Sequence, residues 1–245
     1  MNHHSTPRRW RLALAALTLA AAALPALAQT TTPATPTPLT TLQRDMQVGD
    51  LVFIRVKALP FAKVAAATGS WTNHVGVVID TSGAEPLIGE STFPMSKATN
   101  LARFVARSEG GRVAVMRLDT PLTDAQRDRV RTAAEARMGI VYDTGFDLHS
   151  RRQFCSRYAR EVLIEATGTS VGEVETFAHL LERNPSAGLG FWRVWYFGRI
   201  PWTRETVTPA SLLQSARVHA TFDGRVSADT LSNSSDPTTA ARFEL

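Results

Sequence analysis

At 245 residues, 44% hydrophobic and 20% charged, the chain is long enough for one large domain or two small ones, and nothing in it repeats at a solenoid period. Its single cysteine excludes an internal disulfide. The formal net charge of +5 leans on three arginines in the first 28 residues, which hold no Asp or Glu; the remainder carries 24 Lys and Arg against 22 Asp and Glu, about +2, with no dense basic run to call for a nucleic-acid partner.

Residues 1–28 read as a signal peptide. Arg8, Arg9 and Arg11 form a positive start, residues 12–24 run apolar, and Ala26-Leu27-Ala28 is an A-x-A cleavage site. That run is shorter than the roughly 20 residues a spanning helix needs, and no other segment could span, so the expectation is an exported protein, periplasmic or secreted, with no integral membrane segment after cleavage. Residues 29–41 begin QTTTPATPTP and are expected to be a Thr/Pro-rich linker; one domain is expected at 42–222 and a polar, disordered tail at 223–245.

Within the domain, 48–56 is β-rich behind a Gly-Asp turn and 59–67 suits a short helix. Residues 73–80, NHVGVVID, form a second strand in which alternation sets His74 opposite Val75 and leaves Gly76 on the histidine's own side. Thr81-Ser82-Gly83 turns the chain into a third strand at 85–91, a hairpin partner that carries Glu90 near its far end and, in a suitable register, can bring it to His74. A helix is expected at 98–107 and a half-buried strand at 112–118. Thr123, with Gln126 completing a capping box, opens a helix through Met138. Further on come a helix from Cys155, a short helix at 173–183, the aromatic run FWRVWYF at 191–197 and a weakly patterned segment at 206–218. This order predicts an α+β domain with a small antiparallel sheet packed against helices.

The lone cysteine admits two readings. Cys155, Tyr158, Ala159, Val162, Leu163 and Ala166 make one apolar helical stripe, which suits a buried filler. Its place in the first turn, beside Arg151, Arg152 and Arg157, suits a nucleophile, because unpaired N–H groups and the helix dipole favour a thiolate there. A nucleophile needs a base and a group to orient it. Of His74, His149, His179 and His219, only His74 sits in a strongly β-patterned segment with an acid nearby; His149 lies in a polar loop. A metal site lacks support: there is no H-E-x-x-H, no C-x-x-C and no histidine pair at helical spacing, and no cofactor is expected. The aromatic run is open to three readings: core, a lid over an apolar acyl group, or a membrane-surface patch flanked by Arg193 and Arg199.

Five motifs now fall in one order: GDLVF at 49–53, NHVGVV at 73–78, GES at 89–91, GIVYDTGFD at 139–147 and QFCS at 153–156, with a fainter TVTPA at 206–210. In this the chain resembles the circularly permuted papain-like hydrolases of the YiiX/YaeF/YebB type, relatives of the NlpC cell-wall peptidases. The resemblance implies a permuted papain-like fold, a catalytic cysteine at a helix N-terminus, and a site of Cys155, His74 and Glu90 in which histidine precedes cysteine. It implies that Tyr142 lies near the oxyanion or substrate, and that Asp143 and Asp50 are structural. It further implies an exported cysteine amidase or peptidase acting on an amide, a peptidoglycan fragment or a lipid. A lipid amidase or acyltransferase, or a binding module that keeps the groove, are the alternatives. Where such proteins commonly have Glu after Cys-Ser, this chain has Arg157.

Overall fold

The structure, a computed structural model, describes Met1, residues 35–185 and residues 187–227. Apart from Met1, the expected signal peptide lies outside the described residues, as do 29–34 of the linker and 228–245 of the tail. The elements in chain order are α1 (Leu39–Asp45), β1 (Leu51–Val56), α2 (Leu59–Thr68), β2 (His74–Asp80), β3 (Leu87–Glu90), β4 (Lys97–Asn100), α3 (Leu101–Ala106), β5 (Ser108–Leu118), α4 (Asp124–Glu135) and α5 (Cys155–Thr167). They are followed by β6 (Val174–Thr176), α6 (Phe177–Arg183), α7 (Leu189–Trp195), β7 (Glu205–Val207), α8 (Pro209–Leu213) and β8 (Val218–Arg225).

Six strands form an antiparallel sheet in the order β4-β3-β2-β1-β5-β8, and β6 pairs with β7 apart from it. Strand alternation divides the core in two. Leu51, Phe53, Val75 and Val77 face α4 and α5, meeting Val130, Tyr158 and Val162. Val52, Ile54, Val78 and Ile88 face the other way, against Leu39 of α1 and Leu101 and Phe104 of α3. A strand apolar on both faces needs cover on both, and this is why β1 and β2 read as near-continuous hydrophobic runs. The α+β architecture expected from the sequence is the one observed.

Boundaries moved where distant partners intervened. The expected helix at 98–107 begins only at Leu101, because 97–100 add a strand to the free edge of β3, with Glu90 opposite Lys97 and Leu87 opposite Asn100. Asn100 then caps α3, its side chain accepting from the Arg103 N–H at 3.3 Å. Likewise 174–176 pair with β7 before α6 starts under the Thr176 cap. The folded body also exceeds 42–222. Leu39 is buried on the sheet, β8 runs to Arg225, and Thr37 bridges Val226. As an edge strand β8 exposes most of its residues, so its composition resembles a tail. The Thr123–Gln126 capping box forms as expected.

Candidate active site

His74 opens β2, and its ring is fully buried, with Phe104 stacked on it at 5.6 Å and Phe61 meeting it edge-on at 5.8 Å. Gly76 makes the stack feasible: a Cβ there would collide with Ile88 and come within 3.0 Å of Phe104. Glu90 ends β3. The observed pairing of Val77 with Gly89, carried one step on, sets Glu90 across from Gly76 and on the same face as His74. The two side chains meet, with His74 Nε2 2.6 Å from Glu90 Oε2.

Two residues that the sequence did not flag complete the carboxylate's surroundings. The Thr99 hydroxyl donates to Oε1 at 2.7 Å, and Arg107 Nη2 donates to both oxygens at 2.8 and 2.7 Å. Arg107 also lies 4.9 Å over Phe104, so one cation braces both the acid and the ring stacked on the histidine. Thr99 comes from β4, absent from the sequence expectation, and Arg107 from the turn that follows α3. Neither position bears a local signal.

Cys155 is the first residue of α5 and is buried; the N-cap, Phe154, offers no side-chain cap. The N–H groups of the first turn are therefore without a capping side chain, in the electropositive end of a 13-residue helix. Below Cys155 the stripe from Tyr158 to Ala166 is buried against the sheet and holds the helix start in place. Nε2 of His74 is held by Glu90, and Nδ1 is buried without a hydrogen-bond partner. Burial alone would push His74 down, but the Cys155 charge and hydrogen bond, followed by those of Glu90, outweigh it and raise the imidazole to about 9. Burial pushes Glu90 up; the hydrogen bond and charge of His74, then Arg107, carry it down to about 2. Both directions favour an imidazolium paired with the Glu90 carboxylate.

Tyr142 lines the same cleft as the thiol. Burial first, then the Cys155 charge and hydrogen bond, push its phenol well above the usual value, so it remains a donor. The motifs are tied together here: the Ser91 hydroxyl donates to the Gln153 carbonyl at 2.9 Å, and the Asp143 N–H donates to the same carbonyl at 2.8 Å. Asp143 turns the loop, accepting from the N–H groups of Gly145 and Asp147, and Asp50 takes two nitrogens of Arg117 at 2.8 Å, as structural residues would.

The arginines near Cys155 do less than expected. Arg157 points along the outer side of α5, donating to Glu161 at 2.7 Å and to the carbonyls of Ser150 and Arg152, while Arg151 and Arg152 are exposed, where water and salt screen them. His149, His179 and His219 are surface groups paired with Glu205, Glu175 and Asp119. Of the aromatic run, Trp192 is buried and, with Phe146 and Cys155, lines an apolar cleft; Val194 and Phe197 are exposed. Among the described residues, no group of three or more His, Cys, Asp or Glu is placed to hold a metal ion, and no helix is long and apolar enough to cross a membrane.

Comparison with known proteins gives the family. The family described as "Permuted papain-like amidase enzyme, YaeF/YiiX, C92 family" matches residues 45–221. The chain is 28% identical over 127 residues to the uncharacterized protein YiiX of Escherichia coli strain K12, a match over 52% of this chain and 62% of that relative's length. It also superimposes on the crystal structure of the metalloprotein YiiX from Escherichia coli O157:H7, with a TM-score of 0.68 at 24% identity, covering 73% of this chain and 98% of the other. On the extent of the family match, the chain belongs to the permuted papain-like amidases of the YaeF/YiiX group.

Proposed function

We propose that the protein is an exported cysteine amidase in which Cys155 is the nucleophile, His74 the proton carrier, Glu90 the group that orients His74, and Tyr142 an oxyanion donor. The observation that carries this reading is the buried imidazole with Nε2 held by a carboxylate and Nδ1 left toward a thiol at an uncapped helix start. The Cys155 thiolate attacks the amide carbonyl, forming a C–S bond. The oxyanion takes donors from the first-turn N–H groups of α5 and the Tyr142 phenol. The C–N bond then breaks as imidazolium Nδ1–H protonates the leaving amine. His74 next accepts a proton from water, whose oxygen attacks the thioester; the C–S bond breaks, and the carboxylic acid leaves with the thiolate–imidazolium pair restored.

The NlpC likeness carries cell-wall peptide amides as the first substrate class, and purified peptidoglycan fragments are the first material to assay. A second reading, amide hydrolysis or acyl transfer on a lipid, is favoured by the apolar cleft at Cys155. The E. coli O157:H7 neighbour is a metalloprotein, but the described residues of this chain do not fit a metal ion. The reading is tested by alkylating the protein with iodoacetamide across pH, with and without His74→Ala. A His74-dependent rate is expected. A Cys155 that reacts like a free thiol in both proteins, with no amide cleaved, overturns the amidase and leaves a binding module.

A further inference from the structure

The cleft beside Cys155 is walled by α2, α6 and α7 and by the strand that leads into α8, with Phe61, Val64, Leu180, Trp192 and Val207 among its lining. It encloses about 590 Å³ of empty space, counting the part open to solvent, but a cavity of only about 50 Å³, so it is narrow. Four of its polar side chains are already used within the protein. Thr68 donates to the carbonyls of Val64 and Ala65, Asn73 bonds both backbone groups of Val56, Ser156 donates to the Val207 carbonyl at 2.8 Å, and Thr208 accepts from the Ser211 N–H. A peptide or sugar placed there would lose its water and find few partners, a burial penalty that apolar matter does not incur.

The two sides of a scissile amide are also distinguished. A leaving amine must take its proton from His74, and His74 does not line this cleft, whereas Cys155, to which the acyl group becomes bonded, does. From this we infer that the cleft is an acyl slot: the substrate is an amide whose acyl part is a slender, unbranched hydrocarbon chain, threaded between α2 and the buried side of α7 with its carbonyl at Cys155. This rests on the amidase reading and, of the two substrate classes given for it, selects the lipid. It also gives the aromatic run a role, since Trp192, in contact with Phe146, Phe191 and Tyr196, makes a rigid wall of the slot.

The test is a series of linear N-acyl amides of one fluorogenic amine, aminomethylcoumarin, from acetyl to decanoyl. Each methylene taken into the slot removes apolar surface from water, so kcat/KM is expected to rise by about fourfold per methylene until the slot is full, the equivalent of about 0.8 kcal/mol each. Val64→Trp, which fills the slot from α2, is expected to flatten that gradient. Cys155-dependent hydrolysis that is flat or falls with chain length overturns the acyl slot and leaves the amidase standing. If no member is cleaved, the amidase is decided by the iodoacetamide and peptidoglycan assays, and the slot by binding of the same series to Cys155→Ala protein. Affinity that strengthens with chain length keeps it, and equal or absent binding overturns it.

Discussion

His74 and Glu90 approach to 2.6 Å with both side chains wholly buried, while His149 and Glu205 approach to 2.7 Å with 71% and 49% of their side chains exposed. The contacts are nearly the same length and the chemistry open to them is not. On the surface, water and salt screen the pair and either partner can be solvated instead. In the interior each charge depends on the other, and Glu90 depends further on Thr99 and Arg107. A histidine beside a carboxylate recurs in this molecule; a histidine whose second nitrogen is buried and without a hydrogen-bond partner is found, among the described residues, only at His74.

The largest expected effect separates the two histidines. In amide hydrolysis, His74→Ala is expected to lower kcat/KM on the order of 10³-fold or more, as loss of a general acid–base does, while His149→Ala stays within about twofold. Equal losses in the two variants would erase the distinction drawn between the pairs.

Next in size is stability. Glu90→Gln leaves Arg107 and His74 facing a neutral amide and is expected to destabilise by about 3–5 kcal/mol, against about 0–1 kcal/mol for Glu205→Gln. Urea unfolding midpoints at unchanged slope make the measurement. A Glu90→Gln protein as stable as wild type would mean that the buried cluster is water-filled and behaves like surface.

The smallest effect is in the titration. His74 is raised above its ordinary 6.5, so its contribution is complete below about 6.5 and is lost as pH rises through about 9. Glu90 is depressed below 4.5, so its contribution is complete above about 4.5 and is lost as pH falls through about 2. Together they predict that the pair stabilises most between about pH 4.5 and 6.5. Imidazole NMR should show His74 protonated past neutrality, and Cys155→Ala should lower its midpoint, because the cysteine is the strongest influence raising it. An unchanged midpoint in that variant would place Cys155 out of electrostatic reach of His74.

Much of this was legible in the chain. Period-two alternation in NHVGVVID set His74 and Gly76 on one face, and the apolar stripe after Cys155 set the thiol at the head of a buried helix. Thr99 and Arg107 were not legible, since each reaches Glu90 through an edge strand and a turn that have no sequence period of their own. The arginines around Cys155 were overread for a related reason. Adjacency in sequence says nothing about direction, and Arg157 is turned away to Glu161.

What the sequence determined by itself is local: which residues alternate, where helices are capped, that one cysteine begins a helix and that a histidine precedes it. These follow from steric and hydrogen-bonding preferences within a few residues. What only the tertiary structure decided is the register that sets Glu90 beside His74, the burial that turns an ordinary ion pair into an interdependent one, and the narrow apolar slot against Cys155. Each depends on groups far apart in the chain, and the energy of a charge or a cavity is set by everything packed around it and not by its neighbours in sequence.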